Sequence, residues 1–113
     1  MNIRTEEHGK IVIVIPEGDI KIGEGDVALR ETIRSLIDAG KKNFVLDLSS
    51  VRYLDSAGLG ELVATLKRVR EAGGDLRVCG VNRRVDEAFH VTQLVRVLDI
   101  YKDRSEAIAA FVS

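Results

Sequence analysis

Ile11-Val12-Ile13-Val14-Ile15 is an unbroken β-branched run, preceded by Lys10 and closed by Pro16 and Gly18. A strand with one wet face alternates apolar and polar side chains. A run without alternation reads as a strand covered on both faces. Covering both faces requires helices above and below, so this segment already narrows the chain to a layered α/β fold. The preceding residues, Asn2 to Glu7, alternate weakly through Ile3, Thr5 and Glu7, which suits an edge strand that turns back at His8-Gly9.

Further along, the apolar period switches repeatedly. From Asp26 to Ala39 it is helical, with Leu29, Ile33, Leu36 and Ile37 on one face and Gly40 at the C-terminus. Asn43 to Leu48 reads as a central strand, and Ser49 to Leu54 as the loop after it. Leu59, Leu62, Val63, Leu66 and Val69 then form the apolar face of a second helix, with Glu61, Lys67, Arg68 and Arg70 expected to face water. Gly73-Gly74 ends it. Leu76 to Gly80 alternates as a strand, followed by a short helix near Val85 to Phe89, a strand over Val97 to Tyr101, and a last helix carrying Ala107, Ile108 and Phe111. The order β-β-α-β-α-β-α-β-α predicts one α/β domain over residues 1–113, its sheet mostly parallel behind an N-terminal antiparallel hairpin.

Composition removes several function classes. With 113 residues the chain suits one domain burying roughly two-thirds of its unfolded surface. Its 17 basic and 18 acidic residues balance to a net charge of -1, so no basic stripe predicts direct nucleic-acid binding or an anionic membrane surface. The polar N-terminus lacks the apolar core of an export signal, and no apolar run approaches the ~20 residues of a membrane span. These features predict a cytoplasmic domain without membrane insertion. A single Cys and the absence of a paired-His motif predict neither a disulfide nor a metal site; Cys79 reads as a small core residue.

The junction from Val45 to Glu61 concentrates the remaining polar signal. In open α/β sheets, ligands and partners gather at the carboxyl ends of strands. Here a strand enters a polar loop, and Asp55-Ser56 starts the second helix, either residue being able to cap it. Neither is followed by Glu or Gln at the spacing of a capping box. Gly58 and Gly60 fall in the first turns, where each costs about 1 kcal/mol relative to alanine. Bare backbone there is expected to leave room for another surface, and a hydroxyl at such a helix head suits phosphorylation. A phosphoryl group adds about -1.5 to -2 charges, which a docked partner without Arg or Lys would have to desolvate.

Leu46-Asp47-Leu48-Ser49 and Val51-Arg52-Tyr53-Leu54-Asp55-Ser56-Ala57-Gly58-Leu59-Gly60 together resemble the signature of the STAS-domain anti-sigma factor antagonists. Gly73-Gly74-Asp75-Leu76, Thr92-Gln93-Leu94 and Glu106-Ala107-Ile108 extend the resemblance over nearly the whole chain. It implies a protein that binds an anti-sigma factor serine kinase and displaces the sigma factor held by that kinase. The kinase would use ATP to phosphorylate Ser56, and a serine phosphatase would reverse the modification. Asp55, Ser56, Ala57, Gly58 and Leu59 would form the partner surface. Catalysis would belong to the partners, so no catalytic residue and no cofactor is expected in this chain. One departure is Lys21, where better-known members carry an acid, followed by Gly23-Glu24-Gly25 at the start of the first helix. It motivates an alternative, a STAS binding module of another signalling or transport-associated assembly without a sigma-factor link.

Other motifs fail on context. Gly23-Glu24-Gly25-Asp26-Val27-Ala28 fits G-x-G-x-x-A, but the dinucleotide fingerprint follows its strand at once, and here residues 16–22 intervene. Ser56 lacks the glycine two positions earlier that a nucleophile elbow needs, since Leu54 stands there. Neither His8 nor His90 has an evident route to it as a base.

Overall fold

The computed structural model describes residues 1–112. Among these residues, five strands form one sheet: β1 (Asn2–His8), β2 (Ile11–Glu17), β3 (Asn43–Asp47), β4 (Asp75–Cys79) and β5 (Asp99–Tyr101). Their order across the sheet is their order in the chain. β1 runs antiparallel to β2, and all later neighbours are parallel. The crossovers are α1 (Gly25–Asp38), α2 (Ser56–Glu71) and α3 (Arg83–Val91), with α4 (Arg104–Val112) closing the chain. This is the expected α/β order, including the hairpin.

Strand periodicity divides the core in two. Val12, Val14, Phe44, Leu46, Leu76 and Val78 join one apolar cluster with Leu29 and Ile33 of α1, Leu62, Leu66 and Val69 of α2, and Val85 and Phe89 of α3. The intervening residues Ile11, Ile13, Ile15, Val45 and Cys79 form the other, with Ala107, Ile108 and Phe111 of α4 packed on them. The β-branched run is buried on both faces, as its lack of alternation requires.

Four details differ from the sequence reading. β2 continues through Pro16 to Glu17; β3 pairs only as far as Val14, so the proline removes no donor from that parallel ladder. β5 begins at Asp99, not Val97, because the amides of Val97 and Leu98 both bond the Leu94 carbonyl and remain in a 3₁₀ turn, Leu94–Arg96. Val63 lies at the edge of the apolar face of α2 and is exposed. Glu61, expected in water, is only 7% exposed. It faces α1, whose Arg30 donates from Nη1 to Oε1 at 3.0 Å, while within α2 Thr65 Oγ1 donates to Oε2 at 2.9 Å and Arg68 Nη1 lies 3.5 Å from the same oxygen. A carboxylate at a helix seam is tolerable when its lone pairs are filled in this way.

At the opposite layer, Asp47 is nearly buried at the carboxyl end of β3. It accepts from the Ser49 amide at 3.0 Å and from Arg104 Nη2 of α4 at 2.9 Å. Burial pushes its carboxyl up, but the bonds from Ser49 and Arg104 outweigh that and hold it below the usual carboxylate range. Next to it the Cys79 thiol is pushed up to about 12, by burial first and the Asp47 charge second.

Gly25 and Gly58 explain how tightly the layer is drawn together. Both press on Ile20: a Cβ on Gly58 would lie 2.2 Å from the Ile20 carbonyl oxygen, and one on Gly25 would lie 2.7 Å from the Ile20 Cα. Close backbone packing accounts for these glycines, and Gly58 is buried within the chain rather than left bare for a partner. At Gly60 a Cβ would meet nothing within 4 Å, so only Gly60 leaves the open surface expected of both.

Two outcomes follow. Gly58→Ala should destabilise the fold by about 2 kcal/mol through overpacking, whereas Gly60→Ala should stabilise it by roughly 0.5–1 kcal/mol; urea unfolding of both variants measures the contrast. Asp47, whose folded pKa is lowered, contributes stability that is fully present above its unfolded value and lost as pH falls through its folded value. Thermal melts should therefore decline below about pH 4, and Asp47→Asn should flatten that part of the profile.

Candidate functional site

Beyond β3 the chain crosses the top of the sheet with Leu48, Val51 and Leu54 buried beneath it. Asn82 holds this loop from the other side, donating to the carbonyls of Val51 and Arg52 at 3.2 and 3.3 Å. Its own Oδ1 accepts from the Val85 amide at 2.8 Å and caps α3. A polar loop thus rests on three apolar feet and one amide clamp, which leaves little freedom for the residues that follow.

Asp55 is the N-cap of α2. Its Oδ1 accepts from the Gly58 amide at 2.8 Å, filling one of the orphan donors of the first turn. The other oxygen, Oδ2, accepts from the Ile22 amide at 3.0 Å in the loop between β2 and α1. Three backbone bonds run alongside: Gly18 to Ser50, Ile20 to Tyr53, and Asp55 back to Ile20. Ile20 and Leu54 form an isolated parallel bridge. Two loops from different crossovers are thereby joined into one platform. The Gly58 amide, then the Ile22 amide, hold the Asp55 carboxyl below the usual range, so it is ionised at neutral pH.

Ser56 stands immediately after the cap as the first residue of α2. It is exposed, and its hydroxyl has no hydrogen-bond partner among the described residues. Both Asp55 oxygens are occupied by backbone amides. His8 is exposed beside the β1–β2 turn, and His90 pairs with Asp86 within α3 at 3.5 Å. Nothing in these contacts activates the serine as a nucleophile. The hydroxyl is displayed, with the partial positive charge of a helix N-terminus favouring an attached phosphate and the Asp55 charge opposing it.

Of the other residues read from the motif, Ala57 and Leu59 are half-buried, Leu59 against the core, and Gly58 is buried. Ser56 and Asp55 are brought together at the surface, with Gly60 open one turn further on. Sequence reasoning missed Ile22, which is 75% exposed although its amide is fixed by Asp55. An apolar residue outside any periodic segment, between Lys21 and Gly23, was the available signal. Val91, 83% exposed in the last turn of α3, was missed because the expected helix stopped near Phe89. Tyr53, Leu54, Val85, Ala88 and Val91 line a shallow apolar trough of about 330 Å³ beside the same loop.

Known proteins share this sequence pattern and fold. The STAS domain model matches residues 2–107. An anti-sigma-B factor antagonist from Bacillus subtilis is 36% identical over 100 residues, which are 88% of this chain and 90% of that protein. The crystal structure of an anti-sigma factor antagonist from Mycobacterium paratuberculosis superposes with a TM-score of 0.87 at 25% identity, covering 99% of this chain and 94% of that one. Structures of the anti-sigma factor antagonist SpoIIAA share the fold in its unphosphorylated form (TM-score 0.72, 13% identity, 98% and 97% covered). The phosphorylated form does so equally (0.73, 14%, 99% and 100%). Matched along almost its whole length, and with these antagonists among its relatives, the chain belongs to the STAS domain family.

Proposed function

We propose that this chain is an anti-sigma factor antagonist, a binding protein whose docking face is switched by phosphorylation of Ser56. Its partner is an anti-sigma factor serine kinase, which docks on the face centred on Asp55, Ser56, Ala57 and Leu59, with Gly58 packed beneath them, and releases its sigma factor. In the modifying step the kinase transfers the γ-phosphoryl group of ATP. The bond to the β-phosphate oxygen breaks, a new one forms to Ser56 Oγ, the hydroxyl proton leaves, and ADP departs. Hydrolysis by a serine phosphatase restores the hydroxyl. This protein is the substrate, and catalysis lies with its partners.

The observation that carries this reading is the exposed, unbonded Ser56 hydroxyl at the head of α2 on a platform that both neighbouring loops hold still. Relatives named as anti-sigma factor antagonists support it. A face already ordered loses little entropy on docking. A phosphate at its centre would be buried against the partner, and an uncompensated buried charge costs several kcal/mol. A small modification therefore suffices to end the complex without unfolding anything.

The exposed Lys21 in the adjoining loop favours a second reading, a STAS module of another assembly with no kinase acting on Ser56. Incubation with the kinase and ATP separates the two: a gain of about 80 daltons mapping to Ser56 supports the switch, and an unchanged mass supports the alternative.

For the switch itself, Ser56→Ala should keep the wild-type melting temperature and bind the kinase at least as tightly as the unmodified protein, without release on adding ATP. Ser56→Asp should bind at least tenfold more weakly, a difference of about 1.4 kcal/mol. Isothermal titration reads both, and equal affinities would remove the switch.

A further inference from the structure

Beside the Ser56 loop lies a second concavity, of about 340 Å³, lined by Asp19, Lys21, Arg52, Tyr53 and Arg84. Three cations face one carboxylate there, in a chain whose net charge is -1. Asp19 is shared between two of them, with Lys21 Nζ at 3.5 Å from Oδ2 and Arg52 Nε at 4.0 Å from Oδ1. That Oδ1 is buried and accepts no hydrogen bond from the described residues. Arg84 has no carboxylate within ion-pair distance among them, whereas its neighbour Arg83 pairs with Glu87 at 3.3 Å. Instead its guanidinium lies over the Tyr53 ring, 4.5 Å from the centroid.

We infer that this pocket receives acidic side chains of the docked partner, with Arg84 as the principal anchor. The inference rests on the docking reading of the Ser56 face and adds the chemistry of what docks. Stacking on Tyr53 orients the planar fork of Arg84 before any partner arrives, so a two-oxygen contact with a carboxylate costs little ordering. Lys21 and Arg52 are exposed and only half neutralised by Asp19, and they supply the field that draws an acid in. A protein carboxylate fits better than a free anion because the pocket opens beside apolar ground. Ile22 follows Lys21 directly, and the trough ending at Val91 shares Tyr53 and Arg84 with it. Arginine and tyrosine beside exposed apolar side chains, rimmed by charge, is the composition of a protein interface.

The test uses the unmodified full chain labelled with ¹⁵N and titrated with an acetylated tetraglutamate peptide. Shifts should concentrate on Lys21, Arg52, Tyr53 and Arg84. Arg84→Gln should weaken the interaction roughly fivefold. Raising NaCl from about 50 to about 300 mM should weaken it comparably, and Arg34→Gln on the exposed face of α1 should leave it unchanged. Shifts scattered over all surface cations, or no effect of Arg84→Gln, would overturn the inference. So would inorganic phosphate producing equal shifts at equal concentration, which would mark a small-anion site instead. The titration involves neither kinase nor phosphoserine. Its failure leaves the Ser56 switch standing, and equal affinities of the Ser56 variants would leave the pocket's preference for acids standing.

Discussion

The Asp55 carboxylate holds together the part of the molecule on which everything else depends. One oxygen caps α2 through Gly58 and the other fixes the Ile22 amide in the preceding crossover loop. Through it a helix start and a distant loop become one surface. Capping alone would require a single oxygen; the second bond converts a local helix signal into a tertiary joint. Ser56 inherits its position from that joint, since it follows the cap directly and its own side chain contributes no bond to the platform. The residue proposed to change state and the residue that maintains the shape are thus adjacent but separate, so that charging the first would leave the second its partners.

Charge also governs the seams farther from the site. Glu61 ties α1 to α2 through Arg30, and Asp47 ties β3 to α4 through Arg104, which reaches on to Glu6 of β1 at 3.2 Å. Each carboxylate is nearly buried and each partner arginine is partly exposed, so the guanidinium retains some solvation while the acid is satisfied by the protein. The first pair joins helix to helix and the second joins helix to sheet, adding directional contacts to apolar packing that is itself non-directional. The Ser56 platform stands on the layer that holds the Glu61–Arg30 pair.

Much of this architecture was legible in the sequence because its cause is local. The β-branched run, the helical spacing of Leu29 and Ile33, and the cap at Asp55-Ser56 act over a few residues, and the element order follows from such signals. The position of Ser56 at a helix head was legible for the same reason. Contacts between distant segments were not. Gly58 reads as bare backbone until Ile20 is seen against it, and Glu61 reads as solvated until α1 is placed beside α2. The short β5 depends on amides of Val97 and Leu98 turning back to Leu94, a choice between two satisfactory bonding patterns that periodicity does not resolve. Ile22 was overlooked because it belongs to no periodic segment, and its exposure is set by the Asp55 bond to its amide.

The proposed switch requires a scaffold that keeps its shape when Ser56 is charged. The most direct measurement is a comparison of backbone amide spectra of the unmodified protein and of protein carrying phosphoserine at position 56 by genetic-code expansion. Changes limited to residues 20–23 and 53–60, with the Ile22 and Gly58 amides still protected from solvent exchange, would show that charge alone alters the face. Changes reaching the strands, or loss of protection at Ile22, would contradict a rigid platform and make the switch a rearrangement of the fold.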